Sequence, residues 1–135
     1  MCWNCRNFVW DSITGRDNLL STNINVVFYD KSISYEETLL IENKLKKDFP
    51  SYDWELKNQV YMHIHNPGAS EYISSYDAIS KFPETCTSIG VSVVGEKIVL
   101  ICPHGIDELI NFQVKPTPFL KKTQNDWLFT GSGLN

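Results

Sequence analysis

Apolar positions along this chain switch between a period near two and a period near 3.6, and the switches mark its elements. The run Ile24 to Tyr29 is rich in β-branched and aromatic residues and predicts a strand. Before it, Asn7 to Ile13 predicts a short helix stopped by Gly15, and Arg16 to Thr22 is a polar loop. Ser34 followed by Glu37 predicts a capping box that opens a second helix. In that helix Leu39, Leu40, Ile41, Leu45 and Phe49 fall near helical spacing, Glu42, Lys44, Lys46 and Lys47 point mostly outward, and Pro50 ends it.

Trp54 to His65 predicts a further strand, and Asp77 to Phe82 a short helix stopped before Pro83. Thr87 to Val94 and Lys97 to Cys102 flank Gly95-Glu96 and predict a hairpin. Ile106 to Phe112 returns to helix or turn, with Asp107 and Glu108 suited to a first helical turn. Helix, strand, helix, strand, helix and hairpin in that order predict a mixed α+β domain with helices packed on a sheet.

Composition narrows the picture. With 135 residues, 42% of them hydrophobic, the chain can build one real core. A net charge of -4 argues against a large nucleic-acid footprint and leaves room for small anionic ligands. No apolar run approaches the roughly 18 residues needed to span a bilayer, and the amino-terminal region does not read as a signal peptide. The expected compartment is the cytoplasm.

The entrance of the first strand raises a chemical question. Residues two apart on a strand share a face, so Asn23 and Asn25 stand side by side there. Two carboxylates in those positions would suggest a metal site, whereas two amides do not. The four cysteines add one weak motif, Cys2-Trp3-Asn4-Cys5, which with His63 and His65 could form a zinc site. Free thiols are the plainer reading of these cysteines.

Five stretches carry a family resemblance in order and spacing from about Asn4 to Pro118. They are Arg6-Asn7 with Val9-Trp10-Asp11; Val26 to Asp30; Trp54 to Gln59; Ser74 to Val91, with Phe82-Pro83-Glu84-Thr85 at its heart; and Pro103 to Pro118. Together they resemble the small bacterial nucleotidyltransferase-like proteins, once filed as a domain of unknown function, of the polymerase-β-type superfamily. The resemblance implies a nucleotidyltransferase-like fold over residues 1–118, followed by a polar tail over 119–135.

In that superfamily two carboxylates one residue apart, with a third on a neighbouring strand, hold Mg²⁺ or Mn²⁺ over a nucleoside triphosphate. The resemblance places the paired acids at Asn23 and Asn25 and the third carboxylate at Glu55, the one metal ligand retained. It also makes Arg6, Asn7, Lys57, Asn58, Glu84 and Thr85 expected substrate-binding positions, with Gln59 beside the cleft. Asp30 falls on the opposite strand face and does not replace the missing acids. The chain departs from the family in two further ways: Trp3 stands near a glycine used for phosphate approach, and the family's helical lead-in is absent.

Three function classes follow. The first is a catalytically degenerate nucleotidyltransferase-fold protein that retains nucleotide or partner binding. The second is an active metal-dependent transferase built on Glu55. The third is a small zinc or thiol module using Cys2 and Cys5. The missing lead-in also predicts an uncovered apolar surface beside Phe8 and Trp10, closed by the tail or by a homodimer.

Overall fold

The computed structural model describes residues 2–3, 5–15 and 23–122. Its elements are β1 (Cys2–Trp3), α1 (Cys5–Thr14), β2 (Asn23–Phe28), α2 (Tyr35–Asp48), β3 (Asp53–Asn58), α3 (Ser75–Ser80), β4 (Gly90–Val94), β5 (Lys97–Ile101) and α4 (Asp107–Ile110). A 3-10 turn, Met62–His65, follows β3. The strands form one mixed sheet in the order β3-β2-β1-β4-β5. Pairing is parallel between β2 and β3 and antiparallel elsewhere. The expected mixed α+β architecture is therefore the observed one.

Local chemistry fixes several boundaries. The Ser34 side chain accepts from the Glu37 N–H at 3.1 Å, and the Glu37 carboxylate accepts from the Ser34 N–H at 2.7 Å. This is the reciprocal capping box that starts α2. Ser74 caps α3 in the same way, accepting from the Asp77 N–H at 3.0 Å. At the hairpin, Gly95 has φ of 62°, in the left-handed region that glycine enters without strain.

Two expectations need correction, and one strand was not foreseen. The strand expected over Trp54 to His65 ends at Asn58, because the chain turns there: the Tyr61 N–H bonds the Asn58 carbonyl and the Val60 N–H bonds the Asn58 side chain. The two-residue strand β1 lies in the middle of the sheet and is too short to show a period.

The second correction concerns α2, whose apolar residues do not form the buried face. Leu39, Leu40, Ile41 and Phe49 are exposed, while Thr38 is buried. The helix instead lies along the outer edge of β3, where the Glu42 carboxylate accepts the Leu56 N–H at 2.8 Å. Glu42, expected to point outward, covers an edge donor that β2 does not use.

The tightest packing lies where α3 meets the segment leading into β4. Ala78, Ile79, Cys86, Ser88 and Thr117 are inaccessible to solvent, with Ile89 nearly so. The buried polar groups are paired: Thr117 donates its hydroxyl to the Phe82 carbonyl at 2.7 Å, and Ser88 donates to the Glu84 carbonyl at 3.0 Å. At the other end the sheet is open. Val93, Val94, Ile98 and Leu100 of the hairpin are at least half exposed.

The two aromatic residues of α1 differ in exposure. Phe8 is 63% exposed. Trp10, in contrast, is anchored, donating its indole N–H to the Leu109 carbonyl at 2.7 Å and stacking on Phe112.

Candidate functional site

Parallel pairing of β2 with β3 aligns Asn23 with Asp53, Asn25 with Glu55 and Val27 with Lys57. Partners in register put their side chains on one sheet face, so two amides stand opposite two carboxylates. The expected approach of Asn25 and Glu55 is what this register produces. Asn23 lies two residues along the same face, exposed, with Asp53 as its neighbour.

Asn25 and Glu55 share the wall of a cavity of about 160 Å³. Val27, Met62 and Phe82 supply its apolar lining, and Gln59 and Lys57 complete it. Val27 and Gln59 are buried. The Asn25 amide oxygen is buried and finds no hydrogen-bond partner among the described residues. Such a group is costly to leave unpaired.

The charges nearby oppose one another. Lys46 donates to Glu42 at 2.9 Å, and that bond, with added attraction from Asp53 and Glu55, raises its pKa above the usual lysine value. Burial would raise the Glu42 pKa, but the Leu56 N–H and Lys46 outweigh it and hold the carboxyl below its ordinary range. Both signs of charge thus occur here, with Asp53, Glu55 and Lys57 in order along one face of β3 and the Glu42–Lys46 pair on α2.

A pair of divalent ions does not suit this donor set. Asn23 and Asn25 offer neutral oxygens opposite Asp53 and Glu55. Among the described residues no group of three or more His, Cys, Asp or Glu side chains is placed to hold a metal ion. Mg²⁺ requires several charged or polar oxygens in octahedral order.

The remaining expected positions divide between the cleft and the scaffold. Lys57 lines the cavity. Asn58 is 1% exposed and all its amide bonds go to backbone: it accepts from the Asp30 and Val60 N–H groups and donates to the Asp30 and Ile33 carbonyls. It ties the loop after β2 to the end of β3. Asp30, two residues beyond β2, accepts from both the N–H and hydroxyl of Ser32, which lowers its pKa.

Arg6, Asn7, Glu84 and Thr85 do not line this cavity. Arg6 pairs with Glu84 at 3.1 Å, donates to Asn7 and lies 5.2 Å from the centre of a Trp10 ring. The Thr85 N–H and hydroxyl both meet the Lys115 carbonyl, beside a bridge between Glu84 and Pro116.

Of the expected zinc ligands, the side chains of Cys2 and Cys5 lie outside what the structure describes. His63 packs edge-on against Tyr72, and His65 is exposed. Sequence reasoning missed Met62 and Phe82 as cleft residues. Met62 was assigned to a strand and Phe82 to a helix end, and neither carries a signal for its side-chain direction.

The nucleotidyltransferase family profile matches residues 4–130. The chain belongs to this nucleotidyltransferase family. A solved NMR structure, described as revealing a CCA-adding enzyme head domain, is 43% identical and superposes with a TM-score of 0.83. The likeness covers 99% of this chain and 73% of that one. No curated protein matches the sequence. The family chain thus has the head-domain fold, with amides at the positions where the resemblance puts the paired acids.

Proposed function

We propose that this nucleotidyltransferase-family protein does not transfer nucleotides at an enzymatic rate and acts by binding a nucleotide or a protein partner. One observation carries the reading. Asn23 and Asn25 stand on the face that meets Glu55, and Asn25 and Glu55 share the wall of a mostly apolar cavity. Nucleotidyl transfer spreads negative charge that cations held by charged oxygens must offset. Neutral amides supply oxygens without charge, and Glu55 alone would leave Mg²⁺ or Mn²⁺ mostly hydrated.

A second reading, an active metal-dependent transferase, is favoured by the placement of Asp53 and Glu55 on one face of β3. The 43% identity to a CCA-adding enzyme head domain also speaks for it. The neutral oxygens of Asn23 and Asn25 speak against it. Incubation with each α-labelled nucleoside triphosphate and either Mg²⁺ or Mn²⁺ separates the two. The proposal expects no metal-dependent transfer of the α-labelled nucleotidyl group above background. Steady turnover abolished by Glu55→Gln would establish the second reading.

A further inference from the structure

A second cavity, of about 260 Å³, lies between α2 and the outer edge of β3. Its floor is closed, because Thr38, Leu56 and Asn58 are buried. The Thr38 hydroxyl donates to the Ser34 carbonyl, and the Asn58 amide is fully engaged by backbone groups. Leu39 and Met62 add apolar wall. At about 30 Å³ per water molecule the space holds about eight waters, the bulk of one small molecule.

The charges stand around this floor. Glu42 and Lys46 close on each other at 2.9 Å, and the Glu42 carboxylate also takes the Leu56 N–H. Glu55 and Lys57 are different. Neither side chain forms an ion pair or a hydrogen bond with another described residue. They stand two residues apart on one face of β3, so their stems leave the strand about 7 Å apart, a spacing that pairing with β2 holds. Both border this cavity as well as the one beside Asn25.

A carboxylate and an ammonium without partners give no net attraction to an ion of either sign. They match a small molecule that carries one charge of each. With charge-assisted hydrogen bonds of about 2.8 Å at each end, their spacing suits an ammonium and a carboxylate borne on one carbon atom. An α-amino acid has that arrangement, and its side chain is left to face Leu39, Leu56 and Met62.

We propose that the α2–β3 cavity binds a free α-amino acid with an apolar side chain, its ammonium on Glu55, its carboxylate on Lys57 and its side chain against Leu39, Leu56 and Met62. This rests on the reading that Glu55 holds no metal ion, since a bound cation would take the same carboxylate. Burial of the side chain supplies part of the attraction, and the two ion pairs supply the rest. Those pairs are partly exposed, so the dissociation constant should lie near about 1 mM.

The test is a ¹H–¹⁵N shift titration of the full chain in EDTA with three probes. They are L-leucine, 4-methylpentanoate, which lacks the ammonium, and 3-methylbutylamine, which lacks the carboxylate. Saturable shifts at Leu39, Glu55, Leu56, Lys57 and Met62 are expected with leucine. Each single-charge probe should bind at least about threefold more weakly, the weight of a partly exposed ion pair. Lys57→Met should remove leucine's advantage over 3-methylbutylamine, and Glu55→Gln its advantage over 4-methylpentanoate.

Absence of saturable leucine shifts, or binding of either single-charge probe as tight as that of leucine, overturns the proposal even if a variant fails to fold. Nucleotide transfer by the unaltered protein in Mg²⁺ would instead overturn the proposed function. The titration in EDTA does not depend on that activity, so the two failures are separable.

Discussion

Asn58→Ala should destabilise the domain strongly. The amide is 1% exposed and makes four hydrogen bonds, between 2.8 and 3.3 Å. Truncation strands the Asp30 N–H and carbonyl and the Val60 N–H, whereas the Ile33 carbonyl keeps the Tyr61 hydroxyl at 2.9 Å. Each stranded buried group costs about 1–3 kcal/mol, and water entering the vacated space recovers part, so the net loss should be about 3 kcal/mol.

In a domain of this size that loss lowers the melting temperature by roughly 10 °C. Urea unfolding followed by circular dichroism reads it directly, as a lower midpoint at unchanged slope. Asn58→Asp sharpens the test, because it keeps the acceptor toward the Asp30 and Val60 N–H groups and sets a second oxygen against two carbonyls. Its folded carboxyl should titrate above the unfolded one, so the folded state binds more protons and this variant loses stability as pH rises. A loss under 1 kcal/mol for Asn58→Ala, with a pH-independent Asn58→Asp, would refute this account of the β2–β3 clamp.

Further outcomes follow from single contacts. Glu42→Gln should cost about 1–2 kcal/mol at pH 7, since a charged acceptor of the Leu56 N–H is lost. Because the folded Glu42 pKa is depressed, its contribution is present above the unfolded carboxyl value near 4.5 and disappears as pH falls through the folded one. Unfolding curves of the two proteins should therefore converge below that range, and a pH-independent gap would sink the assignment. Arg6→Ala should cost only about 1 kcal/mol, because the Glu84 pair is about one-third exposed. A loss above 3 kcal/mol in thermal melts would show that Arg6 does more than the structure allots to it. Ile98→Lys, at a position 77% exposed on the edge strand, should raise solubility and leave stability within about 0.5 kcal/mol. Light scattering that shows more aggregation would contradict the reading of β5 as an open edge.

Legibility in the sequence followed the range of the interactions involved. The α2 capping box and the Gly95 turn are local, and Ser34, Glu37 and Gly95 announced them. The strand β2 was visible because its run of β-branched and aromatic residues is long enough to show. That it lies beside β3 was expected from the apolar runs and the family order, whereas the parallel sense of the pair was not, since a crossover through α2 leaves no local mark.

The losses were of two kinds. The two residues of β1 could show no period, and the burial of α2 through Thr38 and Glu42 depends on which edge of the sheet the helix meets. At the site, Asn23, Asn25 and Glu55 were readable because a resemblance named their positions. Asp53 gained meaning only from the register that sets it opposite Asn23, and Phe82 only from folding back over the cavity.

The central claim is that replacing two acids by amides removed the metal centre, and calorimetric titration of Mg²⁺ and Mn²⁺ tests it most directly. The unaltered protein should show no saturable site, whereas Asn23→Asp with Asn25→Asp should bind at least about tenfold more tightly if the restored carboxylates together contribute 1.4 kcal/mol or more. Tight, saturable binding by the unaltered protein, unchanged by the double substitution, would contradict it.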